Sequence, residues 1–309
     1  MALSLWSFFS CSKESALPQE QRALQFSTVE SKSNLSLLFA TFKVWGEVCV
    51  ASSSEPLPLI QGYRVNYINN NNQWSYTQGE GTEGQEMKYW SYSADEYRFH
   101  AGAPDYVTNA SGQQVAGIVR NAGTPAITEN SLTLKMIATK EIKETSLYSQ
   151  PYLVRRTDPS FGSLVNLKFC YAHAKVNVAF KYVSGSTITI KEIKLIPPAA
   201  IATEATLQIK YDWAKPAVSA GTLDISAKGI STSSPLEFNP IENISANSKE
   251  YHSSSPWYLI PDPASKGDWK LSITVASEGV ADVTKEVTFT VSKAWESGKA
   301  YLYRFEYTD

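Results

Sequence analysis

Few residues in this chain have the types and spacing that do chemistry, and the clearest of them sit near its start. Phe8-Phe9-Ser10-Cys11-Ser12 ends an apolar run on small residues at a cysteine. A cysteine in that place is the acceptor for bacterial lipidation, so Cys11 is the expected lipid attachment point. Residues 1–10 read as the apolar half of a secretory signal without its positively charged start. Each buried acyl CH₂ contributes about 0.8 kcal/mol, so a multiply acylated Cys11 holds its chain firmly to a bilayer. A polar spacer follows, and then Gln21-Arg22-Ala23-Leu24-Gln25-Phe26-Ser27-Thr28-Val29. A lone arginine stands directly ahead of a short alternating strand. Arg22–Ala23 is therefore a candidate protease site, and the strand after it a candidate detachable element.

The remaining chain offers little for catalysis. Its three histidines, His100, His173 and His252, are far apart and in no H-x-H or H-x-x-x-H spacing, which gives a metal site poor support. His173 lies in a strand-like stretch and is expected as a core or bulge residue. No G-x-S-x-G, no glycine-rich phosphate loop and no acidic calcium loop occurs. Asp95, Glu96 and Asp262 read as solvated loop charge. Cys49 and Cys170 are expected as buried or half-buried free thiols, or as one disulfide in an oxidising compartment. Trp74, Trp90, Trp213, Trp257, Trp269 and Trp295 would stack on sugars if exposed; within strands they read as core or rim packing. No catalytic residue, cofactor or metal is expected.

The elements around these residues are strands. The chain has 309 residues and a formal net charge of −2, which favours two domains and leaves no basic footprint for nucleic acid. No apolar run approaches the ~20 residues of a spanning helix. Twelve per cent of residues are aromatic, and Asn, Gly, Pro and Ser clusters cut the chain into short pieces, as an all-β fold requires. Leu38, Ala40, Phe42 and Val44 share one face; Tyr63–Tyr67 and Trp74–Tyr76 read as a hairpin around Asn69–Asn72. Residues 139–149 have room for one helical turn. Val165, Leu167, Phe169, Tyr171 and His173 alternate in one phase, and Val176, Val178, Phe180 and Tyr182 in the other. A one-residue slip reverses the faces, so a bulge or break is required near Ala174-Lys175. Turn signals resemble those of sandwiches. The expected division is a leader and spacer over 1–22, a β-sandwich over 23–160 and a second over 161–309, joined at Asp158–Gly162.

Several blocks resemble those of Bacteroidales fimbrillin-like proteins. Tyr89-Trp90 and Tyr97-Arg98-Phe99-His100-Ala101, with Ala103-Pro104, are similar to one block; Val165–Phe169 with His173–Val176 to a second; Leu259-Ile260-Pro261 to a third; and Trp295, Gly298, Lys299, Tyr301 and Tyr303 to the closing one. Ser91 after Trp90, Tyr152-Leu153-Val154 before the histidine block and Asp262 after Pro261 depart from the family pattern. The resemblance implies two tandem transthyretin-like β-sandwich domains and a role in type V pili, as a subunit or accessory tip adhesin. It implies export through the periplasm as a lipoprotein, anchoring in the outer membrane through Cys11, and cleavage by an arginine-directed protease. A neighbouring subunit then supplies a strand to an open groove. Arg22 is the expected cut, with Lys32 or Lys43 as later alternatives, because a cut at Arg22 leaves Leu24–Val29 on the retained side. The alternative reading is a surface glycan-binding lipoprotein that does not polymerise. Other expected partners are a host or bacterial surface glycan or protein, and no nucleic acid.

Overall fold

The computed structural model describes residues 22–28, 39–68, 73–119, 131–183, 185–213, 222–228, 231–246 and 249–308. The expected lipid site Cys11, residues 29–38 with Lys32, and the Asn69–Asn72 turn lie outside these residues. Among the described residues the regular structure is β, with two 3-10 turns at Ile142–Glu144 and Pro263–Ser265 and no α-helix. The first of these turns falls where one helical turn is expected.

The strands of the first half are β1 (Phe26–Thr28), β2 (Thr41–Cys49), β3 (Leu57–Ile68), β4 (Gln73–Ser75), β5 (Glu96–Ala103), β6 (Tyr106–Thr108), β7 (Gln114–Ile118), β8 (Ser131–Ile137), β9 (Leu147–Ser149), β10 (Tyr152–Arg155), β11 (Val165–Leu167) and β12 (Phe169–Tyr171). The second half adds β13 (Ala174–Tyr182), β14 (Ile188–Ile196), β15 (Ile201–Ala202), β16 (Glu204–Lys210), β17 (Thr222–Lys228), β18 (Ser231–Thr232), β19 (Leu236–Phe238), β20 (Ile241–Ile244), β21 (Glu250–His252), β22 (Trp257–Leu259), β23 (Gly267–Ser277), β24 (Val283–Val291) and β25 (Ala300–Tyr307).

A seven-stranded sheet forms the middle layer of the first half, in the order β12-β9-β5-β2-β3-β4, with β10 also on β5. Both of its faces are covered, because alternate residues of its central strands are apolar on each side. Phe42, Val44, Tyr97 and Phe99 point into one core with Leu24, Phe26, Val165 and Leu167. Trp45 points the other way, into a core with Leu132, Leu134 and Met136 of β8. Gly46 is fixed by this layering: a Cβ there would lie 2.5 Å from the Phe99 ring.

The second half is a sandwich of two sheets. One has β21 and β22 antiparallel on one side of β13 and β25 parallel on the other. The other runs β19-β14-β23-β24, with β20 also on β14. Their facing residues include Val176, Val178, Phe180, Ile190, Ile193, Trp269 and Leu271, all buried.

Two features tie the halves together. The β16–β17 hairpin of the second half pairs with β8 and extends the sheet β17-β16-β8-β7-β6. Its Leu207 and Ile209, followed by Tyr211 and Trp213, fill the core that holds Trp45. Residues 165–171, beyond the expected division at 160, pack in the first core; β11 pairs with β1 and β12 with β9, so the chain changes sheets at Lys168. The required break falls at Ala172-His173, between β12 and β13.

Candidate functional site

The segment from Arg22 to Thr28 is docked in a way that suits a detachable strand. Leu24, Phe26 and Thr28 point inward and are buried, as strand alternation dictates, while Arg22 and Gln25 are exposed. The Phe26 ring meets Tyr76 and Phe99 edge-on at 5.7 and 5.5 Å. Along one edge, β1 runs parallel to β11 with Phe26 opposite Val165, and the Gln25 carbonyl accepts from Val165 N–H at 2.9 Å. Three residue pairs make that ladder. Ahead of it, Ala23 bridges antiparallel to Tyr89. There the Arg22 carbonyl accepts from Trp90 N–H at 2.9 Å, and Leu24 N–H donates to the Lys88 carbonyl at 2.8 Å.

The Lys88–Trp90 dock is itself held by Tyr76. Its hydroxyl accepts from Lys88 N–H at 3.0 Å and donates to the Lys88 carbonyl at 3.3 Å. Burial raises the Tyr76 hydroxyl pKa above its ordinary value, so the phenol stays protonated and able to donate. Beside β1 a groove of about 340 Å³ opens toward β4, walled by Leu24, Phe26, Trp74 and Met87 and by polar residues that include Gln73, Ser75 and Gln78. β4 is the outer strand of the seven-stranded sheet. Among the described residues β4 has no strand on its outer side, and an unpaired edge with a groove beside it can accept a strand.

A second pair of edges lies in the other half. β24 and β25 each end a sheet, and the face of β24 is poorly covered: Val283 is 44% exposed and Val287 48%. Lys285 sits between them opposite Ile273, with its ammonium 4.8 Å from the Tyr307 ring centre. An inward lysine on an edge strand blunts edge-to-edge association.

Arg22 and Ala23 thus stand at the entry of the docked segment. Lys43, one of the alternative cut sites, lies inside β2 between β3 and β5, 3.5 Å from Asp105. Cys49 and Cys170 are half-buried thiols that are not joined in a disulfide; burial raises the Cys49 pKa. His173 is buried at the strand break, its Nε2 3.0 Å from the Ile137 carbonyl. His100 is buried and stacked on Trp45. Desolvation lowers the pKa of His100 to about 3 and of His173 to about 4.

The reading of the acidic residues as loop charge holds for Asp95, which lies in a bend with its side chain 40% exposed, and needs correction for Glu96, which is in β5, and for Asp262. Asp262 is buried and caps the second 3-10 turn, accepting from Ala264 N–H at 3.0 Å and Ala202 N–H at 2.9 Å. Asp95 pairs with Arg156, and Glu96 with Arg98 and Arg155. The tryptophans fall where packing puts them: Trp90, Trp213, Trp269 and Trp295 are buried, and Trp74 and Trp257 half-buried. Among the described residues no group of three or more His, Cys, Asp or Glu is placed to hold a metal ion. No helix of the described residues is long and apolar enough to cross a membrane. Sequence reasoning missed the Lys88–Trp90 dock and the β11 partner, although both lie in blocks that carry the family resemblance.

Layered β-sheets with a short strand, the first of the described residues, docked beside a groove define a β-sandwich protein. The fimbrillin-like family model matches residues 51–309, and the chain belongs to that family. Its members are structural and adhesive proteins rather than enzymes, and act at the cell surface. No curated protein matches the sequence. Among solved structures, a candidate cell adhesion protein from Bacteroides uniformis is 16% identical over 93% of this chain and 94% of its own, with a TM-score of 0.47. Another from Bacteroides ovatus is 14% identical over 86% and 82%, with a TM-score of 0.44. A candidate adhesin from Bacteroides ovatus is 9% identical over 93% and 86%, with a TM-score of 0.36.

Proposed function

We propose that this chain is a fimbrial subunit or accessory adhesin that joins its neighbours by strand addition. The observation that carries this is β1: a three-residue parallel ladder, anchored by two buried side chains, with a groove beside it. Removing β1 would leave the apolar floor under Leu24 and Phe26 and the free edge of β11. A strand from a second subunit satisfies both at once.

In this reading the precursor is exported as a lipoprotein and held to the outer membrane through Cys11. An arginine-directed protease cuts after Arg22 and frees the body, which begins at Ala23. A cut there leaves β1 on the body, so exchange requires β1 to undock and an incoming strand to replace it. Lys43 is a poor alternative, because cutting within β2 would break the centre of the sheet. The two halves are transthyretin-like sandwich domains, with the first extending to Tyr171 and receiving the β16–β17 hairpin from the second.

The test is N-terminal sequencing of the protein recovered from the cell surface in assembled form. The expected first residue is Ala23. An assembled protein that still carries Arg22 and the residues before it overturns the processing reading.

A further inference from the structure

The hydrogen bonds around Arg22 bear on when its peptide bond can be cut. This inference rests on the Arg22 processing proposed above. Hydrolysis breaks the bond between the Arg22 carbonyl carbon and the Ala23 nitrogen; water supplies the hydroxyl to the carbon and a proton to the nitrogen. A protease must hold the arginine carbonyl oxygen with its own N–H donors as charge develops there. In the docked segment that oxygen already accepts from Trp90 N–H at 2.9 Å. On the product side, Leu24 N–H is held by the Lys88 carbonyl and the Gln25 carbonyl by Val165 N–H. The Leu24 side chain is fully buried. The arginine side chain is exposed, so a protease can find it, but the backbone it must grip is engaged from Arg22 to Gln25.

We infer that the docked strand shields its own processing site, so that Arg22–Ala23 is cut only while residues 23–28 are undocked from Lys88–Trp90. The coupling runs both ways. Once the bond is cut, the Arg22 carbonyl leaves with the leader, and the Trp90 N–H loses its acceptor. The strand that remains is held by one fewer backbone bond and carries a new ammonium at Ala23, beside the Lys88–Trp90 segment. Docking slows processing, and processing loosens docking. The bond thus reports whether the strand is seated before it commits the subunit to exchange.

The test uses the full chain, an arginine-specific endoprotease and mass spectrometry of the 22/23 cut over time. A synthetic peptide of residues 16–28 gives the rate for an undocked bond. When opening is fast, cleavage follows the open population, so the full chain should be cut at least ~100-fold more slowly than the peptide. Leu24→Ala should raise the full-chain rate by at least ~10-fold, because it removes a buried anchor of the docked state.

A second variant guards against misfolding. Ala23 and Tyr89 are a bridged pair flanked by the two backbone bonds; such non-hydrogen-bonded antiparallel pairs have Cα atoms about 4.5 Å apart. That is within disulfide reach, about 4.4–6.8 Å. Ala23→Cys with Tyr89→Cys should resist cutting when oxidised and regain the rate of its reduced form on adding reductant. A wild-type rate equal to the peptide's, or equal rates for the oxidised and reduced pair, overturns the inference. Failure of the processing reading shows separately, as a surface protein that does not begin at Ala23.

Discussion

Acid should loosen the joint between the two halves, and the size of the effect follows from two buried imidazoles. His100 sits in the middle sheet, stacked on Trp45 at 5.7 Å, with Tyr211 at 4.3 Å and Trp213 at 6.1 Å from the second-half hairpin segment. Arg98, two residues along the same strand, lies over the Trp213 ring. Desolvation holds the folded pKa of His100 at about 3, against an unfolded value near 6.5. The fold therefore keeps the neutral ring, and below pH ~6.5 the unfolded chain binds more protons. Stability is fully present above that pH and is lost as pH falls, at about 1.4 kcal/mol per pH unit for each histidine. His173, with its folded pKa at about 4, behaves alike. Between pH 6.5 and 4.5 each ring removes roughly 2–3 kcal/mol, a large share of a typical total of about 5–15 kcal/mol. The assay is urea unfolding followed by tryptophan fluorescence at pH 7.5 and 4.5, comparing wild type with His100→Phe. Phenylalanine keeps a flat ring against Trp45 but cannot titrate. The variant should lose roughly 2–3 kcal/mol less than wild type between the two pH values. Carboxylate protonation is common to both proteins and cancels. Equal pH dependence in the two would falsify the view that His100 is neutral because it is buried.

Three further outcomes are expected. Gly46→Ala places a Cβ 2.5 Å from the Phe99 ring, which is itself fully buried, and should lower stability by about 1–3 kcal/mol in chemical denaturation; an unchanged midpoint contradicts the two-sided packing of β2. Asp262→Ala leaves Ala202 and Ala264 N–H without their acceptors and should cost about 1–3 kcal/mol for each donor, and Asp262→Asn should restore only one of the two, because its amide keeps a single acceptor oxygen and turns an NH₂ toward the other N–H. Lys285→Val turns the blunted edge of β24 into a continuous apolar strand. Size-exclusion chromatography should then show oligomers that wild type lacks at the same concentration, and a purely monomeric variant argues against the gatekeeping role.

The sheets were legible in the sequence to the extent that alternation reports burial. The phase reversal between Tyr171 and Val176 located the break at Ala172-His173 to within two residues, because a strand cannot change its buried face without one. The closing block was legible as a motif, and its physical cause is now plain. Trp295 Nε1 donates to the Tyr303 hydroxyl at 2.8 Å, Glu296 N–H to the Tyr301 hydroxyl at 2.9 Å, and Gly298 N–H to the His173 carbonyl at 3.0 Å. Gly298 does so at a φ of 71°, a conformation that favours glycine. Pairing between distant strands was not legible. Nothing local in Phe26–Thr28 names Val165–Leu167 as its neighbour, and nothing in Glu204–Lys210 says that it joins β8 rather than its own half. Asp262 was misread because a carboxylate between two prolines looks like solvated loop. Its burial follows only from where Ala202 is brought in space. At the candidate site, Arg22 and the strand after it were visible as a local pattern, whereas the groove beside β4 was not.

The two ends of the described chain differ in how they would carry mechanical load. β25 runs parallel to β13 over eight consecutive pairs, from Ala300 to Tyr307. Tension applied along β25 at Tyr307 acts in shear, so many backbone bonds must give way together before the strand slips. β1 has three pairs and a single bridge ahead of them, so a pull at Arg22 meets its resistance a few bonds at a time. A fibre built from such units would hold at its carboxyl ends and yield first at its amino ends, unless the incoming strand makes a longer ladder than β1 does.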